Sequence, residues 1–347
     1  ETTLADLSIR ETTQPVETTQ ATEATTPTTQ PVETTQATTP TTAQTTQATT
    51  PTQETAAPST PPNDQELLYP DIFELSSRTY PESMVFSSEN EVAEFILHNL
   101  LNDQFSFNFY LDDELAKYDE GTAYAIMSQG LDSALAYYLF SAFDVYTMMS
   151  EVQGDEVFAT IDIRYQEPDF DLEARREAVQ YVLENPVPEG GFTDYDSERA
   201  YAHDIHDYIA RRITYSPIGY SPELMMSRDR YEIYQEAYNV LASPEQTAVC
   251  AGYARGFALI AQYAGINAVY VWGNETDVES HAWNVIYPCD GSEPVLIDVT
   301  WNDSASGDAP GQDYVSDYYF YLPLSDDFEH EAAPHYTAFL DYMNGAI

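Results

Sequence analysis

The chain has 347 residues, with 12 Lys plus Arg against 59 Asp plus Glu, a formal net charge of -47 and two cysteines. A chain this acidic is repelled by a phosphate backbone or an anionic bilayer, because binding to either depends on Lys and Arg displacing counterions; nucleic-acid and polybasic membrane roles are therefore poor fits. The cysteines, at 250 and 289, make neither a disulfide scaffold nor a four-ligand zinc pattern, so they form one bridge at most or leave a working thiol.

Residues 1–64 stand apart, with 24 Thr, eight Pro, no Gly, no aromatic residue and Arg10 as the sole basic group. The string Thr-Thr-Gln-Pro-Val-Glu-Thr-Thr-Gln-Ala-Thr occurs at 12–22 and again at 28–38. No apolar periodicity runs through the tract, and such a composition cannot bury enough surface to offset chain entropy. A disordered Thr/Pro/Gln-rich stalk or linker is expected, of the kind that holds an exported domain away from a surface and offers O-glycosylation acceptors. Neither a signal core nor a run of about 18 apolar residues is visible, so no transmembrane segment is expected. The stalk, with the absence of an initiator Met, suggests extracellular or cell-surface placement and tethering to the cell surface or wall through the stalk.

From Gln65 onward the chain has the composition of a folded protein, still carrying about forty net negative charges, with Lys117 as its one lysine against ten arginines. Two parts are expected: an α/β module over 65–165 packed on the core, and a catalytic domain over 166–347. In the first, Ser88–Leu101 has helical apolar spacing after a Ser-Ser-Glu-Asn start, and Gly130–Phe140 is predicted as a second helix. Phe143–Glu151 and Glu156–Tyr165, joined by Val-Gln-Gly-Asp, are predicted as a hairpin. Helices are then expected over Leu172–Leu183 and Ser197–Ile213.

The run from Cys250 to Gly265 is predicted as a helix that opens at the cysteine and stops at a glycine cap. The first turn of a helix offers free N–H groups and the positive end of the dipole, which favour the thiolate, the nucleophilic form. Strands are expected at Val269–Trp272, His281–Tyr287 and Pro294–Val299, the last two joined by a turn centred on Asp290-Gly291. A register symmetric about that turn sets His281 opposite Thr300, on one face with Asp298, within reach of an imidazole–carboxylate hydrogen bond. Cysteine catalysis needs such a set: a thiolate to attack a carbonyl, a histidine to pair with it and protonate the leaving amine, and a carboxylate to orient the imidazole. Backbone N–H groups at the helix start, those of Cys250 and Ala251, are candidates for holding the oxyanion.

Four strings, Val249-Cys-Ala-Gly-Tyr-Ala254, Gly265-Ile-Asn-Ala-Val-Tyr-Val-Trp-Gly273, His281-Ala-Trp-Asn284 and Leu296-Ile-Asp-Val-Thr-Trp301, resemble the core motifs of the transglutaminase-like superfamily in order and spacing. The resemblance is strong over about 194–301 and weaker from about 130 to 336. It implies an α+β, papain-like core in which the Cys-bearing helix packs on an antiparallel sheet, with Cys250, His281 and Asp298 as the catalytic triad. Two departures stand out. Many relatives have Gly two residues before the cysteine, where this chain has Ala248. The side chain that completes the oxyanion site is not identifiable, and Tyr238 is a candidate for it. Trp272, Trp283 and Trp301 are expected as core and cleft walls. Cys289 is expected free, because a bridge to Cys250 would abolish the chemistry. His203, His206, His330 and His335 lack metal-ligand spacing beyond the i, i+3 pair, the acidic clusters lack calcium-loop spacing, and neither a metal nor a cofactor is expected.

The functional reading is a secreted cysteine-nucleophile enzyme acting on peptide or protein amides through an acyl-enzyme, with hydrolysis (peptidase or deamidase) favoured over transfer. A cross-linking transglutaminase and a catalytically silent surface-binding module are the alternatives. The expected partner is a peptide or protein substrate.

Overall fold

The computed structural model describes residues 67–345 apart from 72, 82, 118, 141–142, 166–167, 217–233, 276–279 and 304–314. The expected stalk at 1–64 lies outside the described residues.

The first half builds a four-stranded sheet in the order β1-β2-β4-β3 from β1 (Val85–Phe86), β2 (Ser106–Asp112), β3 (Phe143–Gln153) and β4 (Glu156–Tyr165). The hairpin β3–β4 pairs in antiparallel register and turns at Gly154, whose φ of 70° suits a residue without Cβ. Helix α1 (Glu89–Leu101) starts at Ser88 with a capping box: the Ser88 side chain accepts from Glu91 N–H, and Glu91 reaches back to Ser88 N–H. A single turn, α2 (Asp113–Ala116), follows β2, and α3 (Glu120–Ala134) is capped by Asp119. The helix expected at Gly130–Phe140 is corrected here: it begins ten residues earlier and stops at Ala134. The segment 135–140 is a non-helical stretch whose apolar side chains, Tyr137, Tyr138 and Phe140 among them, are buried. Burial on all sides looks the same in sequence whether the backbone is helical or not.

The second half begins with α4 (Pro168–Glu184) and α5 (Tyr195–Arg212), the latter capped by Asp194. A short parallel pair, β5 (Thr214–Tyr215) with β6 (Thr247–Ala248), and α6 (Ala237–Leu241) lead into α7 (Cys250–Tyr263). Gly265, at φ 82°, ends that helix as expected. A five-stranded antiparallel sheet follows in the order β10-β9-β8-β7-β11, formed by β7 (Ala268–Glu275), β8 (His281–Ile286), β9 (Val295–Ile297), β10 (Phe320–Pro323) and β11 (His330–Ala332). Helix α8 (Val299–Asn302) is one turn after β9, and α9 (Pro334–Met343) closes the described chain.

Helix α7 is buried from Cys250 to Gln262 and lies on β7 and β8. Asn284, buried in β8, ties the layers together by donating to Ala254 O at 2.9 Å and to Val269 O at 3.1 Å. This is the expected α+β arrangement of a Cys-bearing helix on an antiparallel sheet. The two sheets share one continuous apolar core, and Tyr270 N–H in β7 donates to Ala136 O just beyond α3. None of the described helices is long and apolar enough to cross a membrane.

Candidate active site

Cys250 is the first residue of α7 and is buried. The preceding residue, Val249, has no side-chain acceptor, so the first N–H groups of the helix receive no side-chain cap. Gly252 is required in this turn: a Cβ there would lie 2.7 Å from Tyr234 O and 2.9 Å from the Ala248 methyl. Ala248 therefore occupies the space beside the first turn of the helix that a side chain at 252 would need.

The register of β8 against β9 pairs Asn284 with Ile297, Val285 with Leu296 and Ile286 with Val295, symmetric about the 290/291 turn as expected. The strand is shorter than expected, because pairing stops at Ile297 and Asp298 becomes the N-cap of α8, its Oδ1 accepting from Trp301 N–H at 3.1 Å. The other oxygen, Oδ2, lies 2.8 Å from His281 Nε2. With Nε2 on Asp298, Nδ1 is the ring nitrogen left for the Cys250 thiol, with which His281 also shares a hydrogen bond. Cys250, His281 and Asp298, 48 positions apart from first to last, thus form one bonded chain.

Burial would lower the proton affinity of His281, but the charge and hydrogen bond of Asp298, followed by those of Cys250, outweigh it and hold the imidazole well above its ordinary range. Burial likewise would raise Asp298; the charge and bond of His281, with those of His330, reverse that and hold the carboxyl below the usual range. The buried guanidinium of Arg255 also interacts with Cys250 by charge. It sits 4.4 Å from the Tyr270 ring centre, donates to Gln235 O at 2.7 Å and faces Glu236 at 3.9 Å.

Sequence reasoning passed over His330. Its ring is buried, with Nε2 3.3 Å from the same Asp298 Oδ2 and Nδ1 3.1 Å from Asp327 Oδ1. No local signal marks it, since β11 is three residues long and its place depends on pairing with β7. Trp301 stacks over His281 at 5.3 Å and 21°, and lies 4.9 Å from His330. Trp283 is buried 4.8 Å from His330 and 6.0 Å from His281. Trp272 is 41% exposed and donates Nε1–H to Ser280 Oγ just before His281. Trp301 and Trp283 thus flank the two imidazoles, and no ring contact joins Trp272 to them among the described residues. The ring of Tyr238 lies flat on Phe170 of α4 at 4.1 Å and faces Glu173 and Glu245.

Cys289 is free and exposed, as is expected of a bystander, and burial together with Glu198 raises its thiol above the ordinary value. Ligand-type atoms of His281, Asp298 and His330 lie within 4.8 Å of one another, as do those of His203, Asp207 and Asp317. In the first group all the facing atoms are engaged in hydrogen bonds to one another. In the second, Asp207 is paired with Arg211 and His206, and Asp317 with His203.

A buried thiol at an uncapped helix start, bonded to an imidazole that is bonded to a carboxylate, has the parts for acyl transfer. The family model described as Transglutaminase-like superfamily matches residues 189–293, a span that includes Cys250 and His281 and ends before Asp298. A comparison with curated proteins finds no match. One similar solved structure is titled "Crystal structure of a TGase", with 15% identity over 64% of this chain and 58% of that chain and a TM-score of 0.27. Another is the periplasmic domain of TgpA from Pseudomonas aeruginosa bound to ethylmercury, with 15% identity over 46% of this chain and 66% of that chain and a TM-score of 0.20. Each match spans less than two thirds of the solved chain. Over residues 189–293, this chain is similar to the transglutaminase-like superfamily.

Proposed function

We propose that the chain is a cysteine-based enzyme that cleaves peptide or protein amides through an acyl-enzyme at Cys250, with His281 and Asp298 as its partners and water as the favoured acceptor. The observation that carries this reading is the bonded order Cys250–His281–Asp298 at the start of α7. The raised proton affinity of His281 supports a thiolate–imidazolium pair in the resting enzyme. The thiolate attacks the carbonyl carbon, and the oxyanion so formed is held by the N–H groups of Cys250 and Ala251. His281 gives its proton to the departing amine as the C–N bond breaks. It then takes a proton from water, whose oxygen attacks the thioester and releases the acid and the thiol.

The acidic surface favours neutral or basic substrates over acidic ones. Placement outside the cell, on a stalk, is part of the same proposal and rests on the Thr/Pro-rich composition of residues 1–64.

A thiol-alkylating probe at neutral pH is expected to label Cys250 much faster than Cys289, and His281→Ala is expected to abolish the difference; equal, slow labelling in the native protein would refute the activated thiol. Incubation of a glutamine peptide with and without excess primary amine then separates the products by mass. Cleaved or deamidated peptide in both conditions supports hydrolysis. An amine adduct overturns it in favour of transfer, and no product from a peptide library, with the fold intact, overturns both in favour of a binding module.

A further inference from the structure

We propose that His330 is a positioning residue: with Asp327 it forms a second imidazole–carboxylate pair that shares Asp298 with His281 and thereby limits how tightly His281 holds its proton. The proposal deepens the reading of Cys250, His281 and Asp298 as the reacting set and rests on it for its catalytic meaning, though not for its geometry.

The geometry is specific. Both histidines direct Nε2 at one atom, Asp298 Oδ2, at 2.8 Å for His281 and 3.3 Å for His330. The far nitrogen of His330 is held by Asp327 at 3.1 Å, so the ring lies between two carboxylates and bears a proton on each nitrogen when charged. That ring is fully enclosed, and Asp327 is nearly so. Trp283 and Trp301 flank it at 4.8 and 4.9 Å, and Tyr319 meets it edge-on at 5.4 Å. The strand that carries His330 can approach because β7 has Gly273 opposite Ala332; a Cβ there would stand 2.1 Å from Glu331 O. A histidine kept only for packing would not need both ring nitrogens placed on carboxylates.

Two imidazoles whose centres lie 5.9 Å apart compete for one carboxylate. A charged His330 repels the charge on His281 and draws on the same lone pairs, so His281 holds its proton less firmly than with Asp298 to itself. An imidazolium locked too tightly protonates a leaving amine poorly, and sharing Asp298 counters that. The ionisable groups facing His330 are Asp298 between β9 and α8, His281 on β8, and Asp327 before β11. Tyr319, beside β10, donates to Glu329. Glu331 and, from α9, Asp341 line the cavity of about 340 Å³ behind it. Burial opposes charging of His330, and the two carboxylates outweigh it, raising the group to about 9.

The test is a histidine NMR titration of the full chain carrying Cys250→Ser, which reads His281 directly and independently of any turnover. His330→Gln keeps a neutral donor to Asp298 and removes the charge. The midpoint of His281 is expected to move up by about one pH unit or more. Asp327→Asn, which leaves both rings in place, is expected to lower the midpoint of His330 by a similar amount, and it carries the test if His330→Gln fails to fold. An unmoved His281 midpoint in folded His330→Gln overturns the proposal, as does an unmoved His330 midpoint in Asp327→Asn. In the chain with Cys250 intact, His330→Gln is expected to broaden the pH range of fast Cys250 alkylation. Slow alkylation of Cys250 at every pH in the native chain would refute the proposed function, whereas an unmoved His281 titration would refute only the role of His330.

Discussion

The two sheets of this protein are built on opposite plans. In the four-stranded sheet, β2 alternates buried and open positions, with Phe107, Phe109 and Leu111 inward and Ser106 and Asn108 outward. In the five-stranded sheet, every residue of β8 and β9 is buried. One face of β8 and β9 cannot be left to water, so polar groups there have to be satisfied from within. His281, Asn284, Asp298, Thr300, Asn302 and Asp303 are all buried in this region. The first sheet tolerates change because one face is solvated. The second holds buried hydrogen-bonded groups, His281, Asp298 and His330 among them, in which removing one member strands the others.

The sharpest way to break the comparison is at Asp298. Asp298→Ala leaves two buried imidazoles without their shared acceptor, and it is expected to slow Cys250 alkylation by roughly 100-fold or more. It is also expected to destabilise the fold by about 3 kcal/mol or more in urea unfolding. A matching change in the first sheet, Asn108→Ala on the open face of β2, is expected to stay within about 0.5 kcal/mol and leave alkylation unchanged. Equal effects at the two sites would dissolve the distinction.

Glycines sharpen it next. Gly273→Ala forces a Cβ into Glu331 O and Trp283, and is expected to cost about 1–3 kcal/mol and to slow alkylation by displacing β11. Gly154→Ala meets no atom within 4 Å, and its cost is confined to the positive φ, about 1 kcal/mol, with no effect on the thiol.

The smallest expected effects come from pH. His281 is raised in the folded state, so its contribution to stability is complete below the ordinary histidine value and is lost as pH climbs through the raised one. Asp298 is lowered, so its contribution is present above the ordinary carboxylate value and is lost as pH falls through the lowered one. Unfolding midpoints measured against pH are therefore expected to hold a plateau between the ordinary carboxylate and histidine values and to fall on both sides of it. His281→Gln is expected to reduce the alkaline fall, which His330 shares, and Asp298→Asn to reduce the acid one.

The sequence showed each of these regions to a different depth. The hairpin β3–β4 and helix α1 were legible because alternation, a Gly-Asp turn and a capping box are local signals. Strand β2 escaped although Phe107, Phe109 and Leu111 alternate with open positions, and α3 was misplaced because the run at 135–140, buried on every side, carries no period. In the second region the centre of the β8–β9 register was readable from Asp290-Gly291, which brought His281 and Asp298 together before any coordinates. The end of β9 was not, since Asp298 leaves the strand to cap α8. The stacking of Tyr238 on Phe170 was not readable either, since the two rings lie 68 positions apart on separate helices.

By itself the sequence determined the helix that opens at Cys250 and the approach of His281 to Asp298, because these depend on periodicity, turn chemistry and spacing within about fifty residues; the α+β plan was implied by the resemblance of its motifs to the transglutaminase-like superfamily. Only the tertiary structure decided that His330 and Asp327 stand behind Asp298, that Trp301 covers His281, and that Arg255 lies buried near Cys250. Those contacts come from strands pairing across the sheet and from the close backbone approach at Gly273, and no local pattern of residues encodes which distant segment fills the space a missing side chain leaves open.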